Sequence, residues 1–226
     1  MFSNIIKSCY GSNLLRDIVN HPFNVELMNG TLNIESFKFY IQQDVLFLDG
    51  YIRTILIIAS RIEDHNDVIP LAKMAQGSIA VTKFLRDHYF TIYDVRRGKK
   101  SPACFNFTNF LLSISYSNTY EAITVLYSCM FIYKTVTENM KSGLKENNRY
   151  KDWFDFYSGS LMEYGCATLE NIVDEYCKKV GVNERSRMLE LFRISAQFEL
   201  DFWDNAYNFS RFNQFPKSMS SNSRMS

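Results

Sequence analysis

Apolar side chains recur at the three- and four-residue spacing of an α-helix through most of this chain. No stretch has the long apolar and polar alternation of a strand, and no sequence period of about 20 to 50 residues indicates a solenoid. Within residues 33–62 one helical face carries Phe37, Tyr40, Ile41, Phe47, Leu48, Tyr51, Ile55 and Ile58. Asn33 is placed to cap this helix. The patterning predicts an all-α fold, a single-domain helical bundle.

Prolines, glycines and capping residues divide the remainder of the chain into further helices. Pro70 suits the first turn of one helix, and Asn118 with Glu121 three positions later forms the pattern of a capping box. The predicted helices run from Pro70 to about Phe90, from Phe105 to Tyr116, from Asn118 to about Met140, over residues 151–180 with a break near Gly159, and from Asn183 to about Tyr207.

Composition narrows the class of protein. The 226 residues are 46% hydrophobic with a net charge of +1, which disfavours a disordered chain and a nucleic-acid-binding surface. The five cysteines form no CxxC pair and are predicted to be reduced thiols. With no apolar run of about 18 residues and no secretory signal pattern, we expect a cytoplasmic protein without a membrane segment. Residues 1–208 are predicted to form the domain, and residues 209–226 a disordered Ser-rich tail.

Motifs for metals and nucleotide cofactors do not stand out. His21 precedes a proline, His65 lies in a polar segment, and His88 lacks a His or carboxylate at helical spacing. Neither the Glu-x-x-His pairs of di-iron bundles nor GxGxxG, Walker, GxSxG or HExxH patterns are found. We therefore predict no metal and no cofactor.

Two carboxylates interrupt apolar helical faces, where an unpaired buried charge costs several kcal/mol. Asp44 shares its face with Tyr40 and Phe47, and Glu199 shares its face with Phe202 and other apolar residues. Both acids are predicted to face the interior. Asp44 can alternatively serve as a partner for a buried Tyr or Arg, and Glu199 as a boundary residue whose head reaches water.

Three further residues carry groups that can do chemistry. Cys129 lies on an apolar helical face, Tyr133 follows one turn later, and Tyr157 accompanies Trp153 in the broken helix. For each, plain core packing is the alternative. Cys129 lies about three turns inside its helix, too far from the N-terminus for the helix dipole to favour a thiolate. Nearby carboxylates raise a thiol pKa, so we expect Cys129 to rest as a thiol.

Five segments in sequence resemble the TenA/thiaminase II family over about residues 8 to 208. They are HPF at 21–23, FKFYIQQD at 37–44, YSCMFIY at 127–133, WFDFYSG at 153–159 and FELDFWDNAY at 198–207. The resemblance implies a helical bundle like that of haem oxygenases and a homotetramer. It implies hydrolysis of an aminopyrimidine, with release of ammonia from aminomethyl-aminopyrimidine or of the thiazole from thiamine, for thiamine salvage.

The same resemblance assigns roles to residues at matching positions. Cys129 is similar to the family's nucleophile, Glu199 to its acid/base and Asp44 to the acceptor for the pyrimidine edge. The substrate-binding positions that match are Tyr133 and Tyr157 for ring-nitrogen contacts, and Phe47 and Phe202 for the pocket walls.

One departure from the family pattern concerns the leaving group. The family often has a pocket Tyr where this chain offers Phe105 and Phe107, so a hydroxyl contact is expected to be missing. The presence of Cys129 favours the cysteine-dependent branch. The alternative functions are a non-catalytic pyrimidine-binding or regulatory protein on the same fold, and an oxygenase.

Overall fold

The computed structural model describes residues 1–8, 13–96, 98–157 and 159–212. Over these ranges it contains ten α-helices and no strand. They are α1 (Phe2–Ser8), α2 (Asn13–Val19), α3 (Pro22–Asn29), α4 (Ile34–Ala59), α5 (His65–Leu85), α6 (Pro102–Ile114), α7 (Thr119–Gly143), α8 (Lys151–Tyr157), α9 (Ser160–Lys179) and α10 (Val182–Asn208). The predicted all-α class is confirmed. Cys9 and residues 213–226 of the predicted tail lie outside the described residues.

Local chemistry explains where the central helix begins. The Asn33 side chain accepts a hydrogen bond from the amide of Glu35 at 2.9 Å, which caps α4 as predicted. Most of the apolar face of α4 is then buried, with Phe37, Tyr40 and Ile55 fully buried and Phe47 and Leu48 half-buried. α4 is therefore held by burial of one long face.

Pro70 was predicted in the first turn of its helix, and this prediction is wrong. The helix begins one turn earlier, at His65, because the Asp64 side chain accepts a hydrogen bond from the Asn66 amide at 2.9 Å. Pro70 thus lies inside α5. Beyond Leu85 the helical path continues as a π-helical segment over Arg86–Phe90, so the predicted end near Phe90 is confirmed.

The predicted capping box before α7 does not form. Asn118 occupies the N-cap position, but its side chain makes no capping hydrogen bond and instead donates to the Tyr120 hydroxyl at 3.1 Å. The break near Gly159 is confirmed, because α8 ends at Tyr157 and Gly159 precedes α9. α10 begins at Val182, one residue before the predicted start.

The long helices pack around one another to place the site. α4 contacts α5 and α6, α7 contacts α9 and α10, and α10 also contacts α6 and α4. The inward faces of α4, α7 and α10 therefore approach each other in the middle of the bundle, and the short α8 adds Trp153 and Tyr157 beside α7. None of the helices within the described ranges is long and apolar enough to cross a membrane.

Candidate active site

Cys129, Asp44 and Glu199 come from three different helices and are all buried. Asp44 on α4 and Glu199 on α10 are each 4% exposed, and Cys129 on α7 is 5% exposed. Electrostatic interactions link Glu199 to both other residues, since its charge acts on Cys129 and the charge of Asp44 acts on Glu199. The structure thus brings one thiol and two carboxyl groups into one water-poor region of the core.

Cys129 lies against the part of α10 that carries Glu199. Its Sγ atom is 3.8 Å from the Oγ atom of Ser195, which precedes Glu199 by one helical turn. Burial above all, followed by the charge of Glu199, raises the pKa of the Cys129 thiol well above its usual value. The resting form is therefore the thiol, in agreement with the expectation from its position in the helix.

Asp44 is held by tyrosine hydroxyl groups. The Tyr157 hydroxyl donates a short hydrogen bond to Oδ2 of Asp44, and the Tyr40 hydroxyl donates to the same oxygen at 3.4 Å. Burial raises the pKa of Asp44 to about 7, although these two hydrogen bonds act in the opposite direction. Asp44 is thus also the partner of a buried tyrosine, which was the alternative drawn from its sequence position.

Glu199 has a different environment. No described residue donates a hydrogen bond to its carboxyl group, although the side chain is buried. Burial first, and then the negative charge of Asp44, raise the pKa of Glu199 to about 8. Glu199 as a whole is 4% exposed, so it is a buried residue and not one half-exposed at the edge of the core. At neutral pH this carboxyl is mainly protonated and can donate a proton.

Aromatic rings enclose the polar groups. The Phe47 ring centroid lies 4.9 Å from that of Phe107 and 5.7 Å from that of Phe202. The Tyr133 ring lies 5.2 Å from the Tyr157 ring, and its hydroxyl makes a short hydrogen bond with the Tyr40 hydroxyl. The rings predicted to bind substrate thus form two contacting groups, Phe47 with Phe202 and Phe107, and Tyr133 with Tyr157, and the second group contacts Asp44 through the Tyr157 hydroxyl.

Phe105 and Phe107 differ in burial and in the rings that they contact. Phe107 is buried and packs on Phe47 and on Phe198, at 5.4 Å between ring centroids in the second case. Phe105 is 47% exposed and packs against Phe212. Of the two residues, Phe107 is therefore the one that packs on a ring of the candidate site.

Sequence reasoning did not assign Tyr40, Tyr51 or Ser195 to the site. The Tyr51 hydroxyl is buried with no hydrogen-bond partner among the described residues. Burial first, and then the charges of Cys129 and Glu199, raise the pKa of Tyr51 well above its usual value. Tyr40 and Tyr51 lie one and two turns from Asp44 on the same face of α4. That spacing was visible in the sequence and is the signal that could have identified them.

Metal-ligating residues do not gather among the described side chains. No group of three or more His, Cys, Asp or Glu residues there is arranged to hold a metal ion. The Nε2 atom of His21 lies 3.8 Å from Asp204, and that of His88 lies 3.6 Å from Asp152, each as a single pair.

Comparisons with known proteins agree with this architecture. The curated relatives include the aminopyrimidine aminohydrolase of Bacillus subtilis, 26% identical over 193 residues (83% of this chain and 82% of the relative). That of Helicobacter pylori is 23% identical, covering 84% of this chain and 92% of the relative. TenA homologues from Pyrococcus furiosus and Pyrococcus horikoshii OT3 superpose with TM-scores of 0.85 and 0.80 at 23% and 27% identity. They cover 92% of this chain and 100% and 99% of their own chains.

The fold extends to more distant proteins. A domain of unknown function with a heme oxygenase-like fold from Shewanella denitrificans covers 92% of this chain and 93% of its own, with a TM-score of 0.71 at 14% identity. This likeness confirms the predicted haem-oxygenase-like bundle. At the level of sequence, the model of one family matches residues 12–209. The chain belongs to the TENA/THI-4/PQQC family.

Proposed function

We propose that this protein is a cysteine-dependent aminopyrimidine hydrolase that forms hydroxymethylpyrimidine for thiamine salvage. One observation carries the proposal: Glu199, buried without a hydrogen-bond partner among the described residues, acts electrostatically on the Cys129 thiol. A nucleophile beside an acid of raised pKa is an arrangement suited to covalent catalysis with proton transfer. The names of curated relatives, aminopyrimidine aminohydrolases, support the same reaction.

Asp44 and Glu199 have different roles in this proposal, because their surroundings favour different protonation states. Asp44 accepts hydrogen bonds that favour its ionised form, whereas Glu199 lacks such donors and is further disfavoured as an anion by Asp44. The pair therefore carries one negative charge near neutral pH, mainly on Asp44. Asp44 accepts a hydrogen bond from the exocyclic amino group of the pyrimidine, and Glu199 supplies a proton to a ring nitrogen.

The reaction balances with these groups alone and water. Protonation of the ring by Glu199 makes it electron-poor, and the Cys129 sulfur then adds to a ring carbon while its proton passes to the leaving amine. The electron pair moves through the ring and breaks the bond between the exocyclic methylene and the leaving group. The water oxygen adds to the methylene, the carbon–sulfur bond breaks, and the proton that the water loses passes to the departing sulfur and restores the Cys129 thiol, while the ring proton returns to Glu199. The net change replaces an amine by a hydroxyl group.

The surrounding side chains have positioning roles in this scheme. Tyr157 and Tyr40 fix the Asp44 carboxylate, and Tyr133 supports Tyr40 through their shared hydrogen bond. Phe47 and Phe202 provide aromatic faces for a flat heterocycle, a contact worth on the order of 1 kcal/mol beyond area burial.

Release of ammonia from aminomethyl-aminopyrimidine tests the proposal. We expect Cys129→Ala to reduce turnover by about 10³-fold or more, because the covalent route is lost. Cys177→Ala is the matched control, since Cys177 is likewise a buried free cysteine but lies on α9, which carries neither Asp44 nor Glu199. Ammonia release that survives Cys129→Ala at the wild-type rate would exclude the proposed nucleophile.

A non-catalytic pyrimidine-binding role is the second candidate, because Phe107, one of the two phenylalanines where the family often has a pocket Tyr, packs tightly on Phe47. Saturable binding of the pyrimidine without any product in the wild type would favour it.

The homotetramer and the cytoplasmic location stay predictions. Light scattering on the purified protein tests the first, and fractionation of cells producing the protein tests the second.

A further inference from the structure

Ser195 is a fully buried serine on α10 whose hydroxyl group faces another helix. Serine and threonine hydroxyls inside helices often donate to the backbone carbonyl one turn earlier. Thr54, Thr124 and Ser186 do so in this protein, at 3.0, 2.7 and 3.0 Å. The described contact of Ser195 is instead with α7, where its Oγ atom lies 3.8 Å from the Sγ atom of Cys129. The Ser195 hydroxyl is therefore directed at the proposed nucleophile.

A second serine crosses the same pair of helices and provides a comparison. Ser128 precedes Cys129 on α7 and donates to the backbone carbonyl of Phe192 on α10 at 3.3 Å. Ser128 and Ser195 are both 0% exposed. The partner of Ser128 is a neutral carbonyl, so a structural role explains this contact. The partner of Ser195 is a sulfur atom whose charge changes in the proposed reaction.

The strength of the contact between Ser195 and Cys129 depends on the charge of the sulfur. A neutral thiol is a weak acceptor, and 3.8 Å is a long contact for a hydrogen bond. Hydrogen bonds to ionised groups are shorter and roughly twice as strong as bonds between neutral groups. Burial and the charge of Glu199 raise the pKa of Cys129, whereas the hydrogen bond from Ser195 acts in the opposite direction. Ser195 thus favours the ionised sulfur where burial and Glu199 oppose it.

We propose that Ser195 is a positioning residue for the nucleophile, because its hydroxyl donates a hydrogen bond to the Cys129 sulfur as the thiol gives up its proton. The inference rests on the proposed function, in which Cys129 attacks the pyrimidine ring. Ser195 keeps its own proton throughout, so the thiol proton still passes to the leaving amine and the sulfur still adds to the ring carbon. The hydrogen bond is strongest while the sulfur is charged, and it therefore acts on the rate more than on substrate binding.

The charge of Cys129 also acts on the hydroxyl of Tyr51, but the geometry favours Ser195 as the donor. The Tyr51 hydroxyl has no hydrogen-bond partner among the described residues, whereas the Ser195 hydroxyl contacts the sulfur. Ser195 also precedes Glu199 by one turn of α10. The hydroxyl and the carboxyl that act on Cys129 are therefore held by one rigid helix.

Alkylation of Cys129 by iodoacetamide tests the hydrogen bond without any turnover, with mass spectrometry of peptides to separate Cys129 from the other cysteines. The thiolate is the form that reacts, so the rate follows its fraction. Between about pH 7 and pH 9 we expect Ser195→Ala to slow alkylation of Cys129 about 3- to 10-fold, although the smaller side chain leaves more room for the reagent. Ser128→Ala is the matched control and should react like the wild type. An unchanged or faster rate in Ser195→Ala, or an equal fall in Ser128→Ala, would overturn the proposal.

Steady-state kinetics measures the effect on the reaction itself. Alanine removes one oxygen atom and keeps the helix, and kcat for ammonia release should fall about 5- to 30-fold in Ser195→Ala with KM within about twofold of wild type. Ser128→Ala should leave kcat unchanged. A wild-type kcat in Ser195→Ala would overturn the positioning role even if alkylation were slower.

The two measurements separate this inference from the proposed function. Ammonia release that depends on Cys129, together with unchanged alkylation in Ser195→Ala, would overturn the role of Ser195 and leave the hydrolase standing. Slower alkylation of Cys129 in Ser195→Ala, when the wild type releases no ammonia, would support the hydrogen bond to the sulfur and reject the hydrolase.

Discussion

Two buried carboxyl groups, Asp174 on α9 and Glu199 on α10, meet contrasting surroundings. Asp174 is 6% exposed and accepts hydrogen bonds from the Ser3 amide at 2.8 Å and the Ser3 hydroxyl at 2.5 Å. These contacts fasten α1 to α9, so the burial of Asp174 has a structural explanation. Glu199 is 4% exposed, yet no described residue donates a hydrogen bond to it.

The difference shows that a buried carboxyl group indicates a catalytic role when it lacks hydrogen-bond donors, and not simply because it is buried. A carboxylate that receives both an amide and a hydroxyl recovers much of the hydration that it loses in the core. Glu199 recovers none of it from the described residues and also experiences the charge of Asp44. Its position reduces the stability of the fold, and the proposed proton-transfer role explains why such a residue is kept there.

The largest expected effect comes from Glu199→Gln. The amide keeps the shape of the side chain but can neither supply nor accept the proton, so kcat for ammonia release should fall about 10²- to 10⁴-fold. Circular dichroism should show an unchanged helical fold. Steady-state kinetics with aminomethyl-aminopyrimidine measures the loss.

Asp174→Asn is the matched control for that experiment. Its new NH₂ group faces donors on Ser3, so we expect the free energy of unfolding to drop by about 1 to 3 kcal/mol with kcat unchanged. The assignment of a structural role to Asp174 and a catalytic role to Glu199 would be contradicted if the folded Asp174→Asn protein lost turnover, or if Glu199→Gln kept it.

Asp44→Asn should have a smaller effect, mainly on substrate binding. The Asn side chain places donors toward the Tyr157 hydroxyl and toward the amino group of the pyrimidine, so KM should rise about 10- to 100-fold. Asp49→Asn, five residues later on α4, changes an exposed acid paired with Arg86 and should leave KM unchanged. A kcat loss as deep as that of Glu199→Gln would instead give Asp44 a part in proton transfer.

Local chemistry made much of the fold predictable. The Asn33 cap and the apolar face of α4 were both visible in the sequence, because each depends on residues within a few turns of one another. The start of α5 was predicted wrongly, because a proline is common in the first turn of a helix and Pro70 was taken to mark that turn. The Asp64 cap, which begins the helix earlier, was overlooked.

The site was predictable only in part. Asp44 and Glu199 stand out as polar residues on apolar faces, but their electrostatic coupling depends on how α4 and α10 cross, which periodicity does not specify. The roles proposed for Cys129 and the two acids came from the family resemblance. The cavity lined by Met74, Met130 and Met162 could be found only in the structure, because its wall combines residues from distant helices and methionines fill ordinary cores as well.

The pH dependence of kcat/KM sharpens the comparison further. The reaction needs ionised Asp44 and protonated Glu199, whose pKa values are raised to about 7 and about 8. We expect a narrow bell-shaped plot of kcat/KM against pH, with midpoints near those values and a fall of about tenfold per pH unit outside them. The two midpoints belong to the coupled pair of acids and not to either residue alone. In Asp44→Asn the acid limb should disappear. A flat profile between about pH 6 and pH 9 would remove the acids from catalysis.

The smallest effect concerns stability. Because burial raises the pKa of Glu199 in the folded state to about 8 from its ordinary value of 4.5, the folded protein keeps a proton that the unfolded chain releases between these values. The free energy of unfolding contributed by this group therefore falls as pH rises through that window. Since one pKa unit corresponds to about 1.4 kcal/mol, Glu199→Gln should gain about 1 to 3 kcal/mol relative to wild type between about pH 5 and pH 8.5.

Urea unfolding followed by the fluorescence of the buried Trp153 and Trp203 measures this gain at the two pH values. Asp49→Asn, a change at an exposed acid, should follow the wild type at both. An unchanged difference between Glu199→Gln and wild type would mean that Glu199 finds a stabilising partner when ionised. Its contrast with Asp174 would then be one of degree, and burial would no longer single it out as the proton donor.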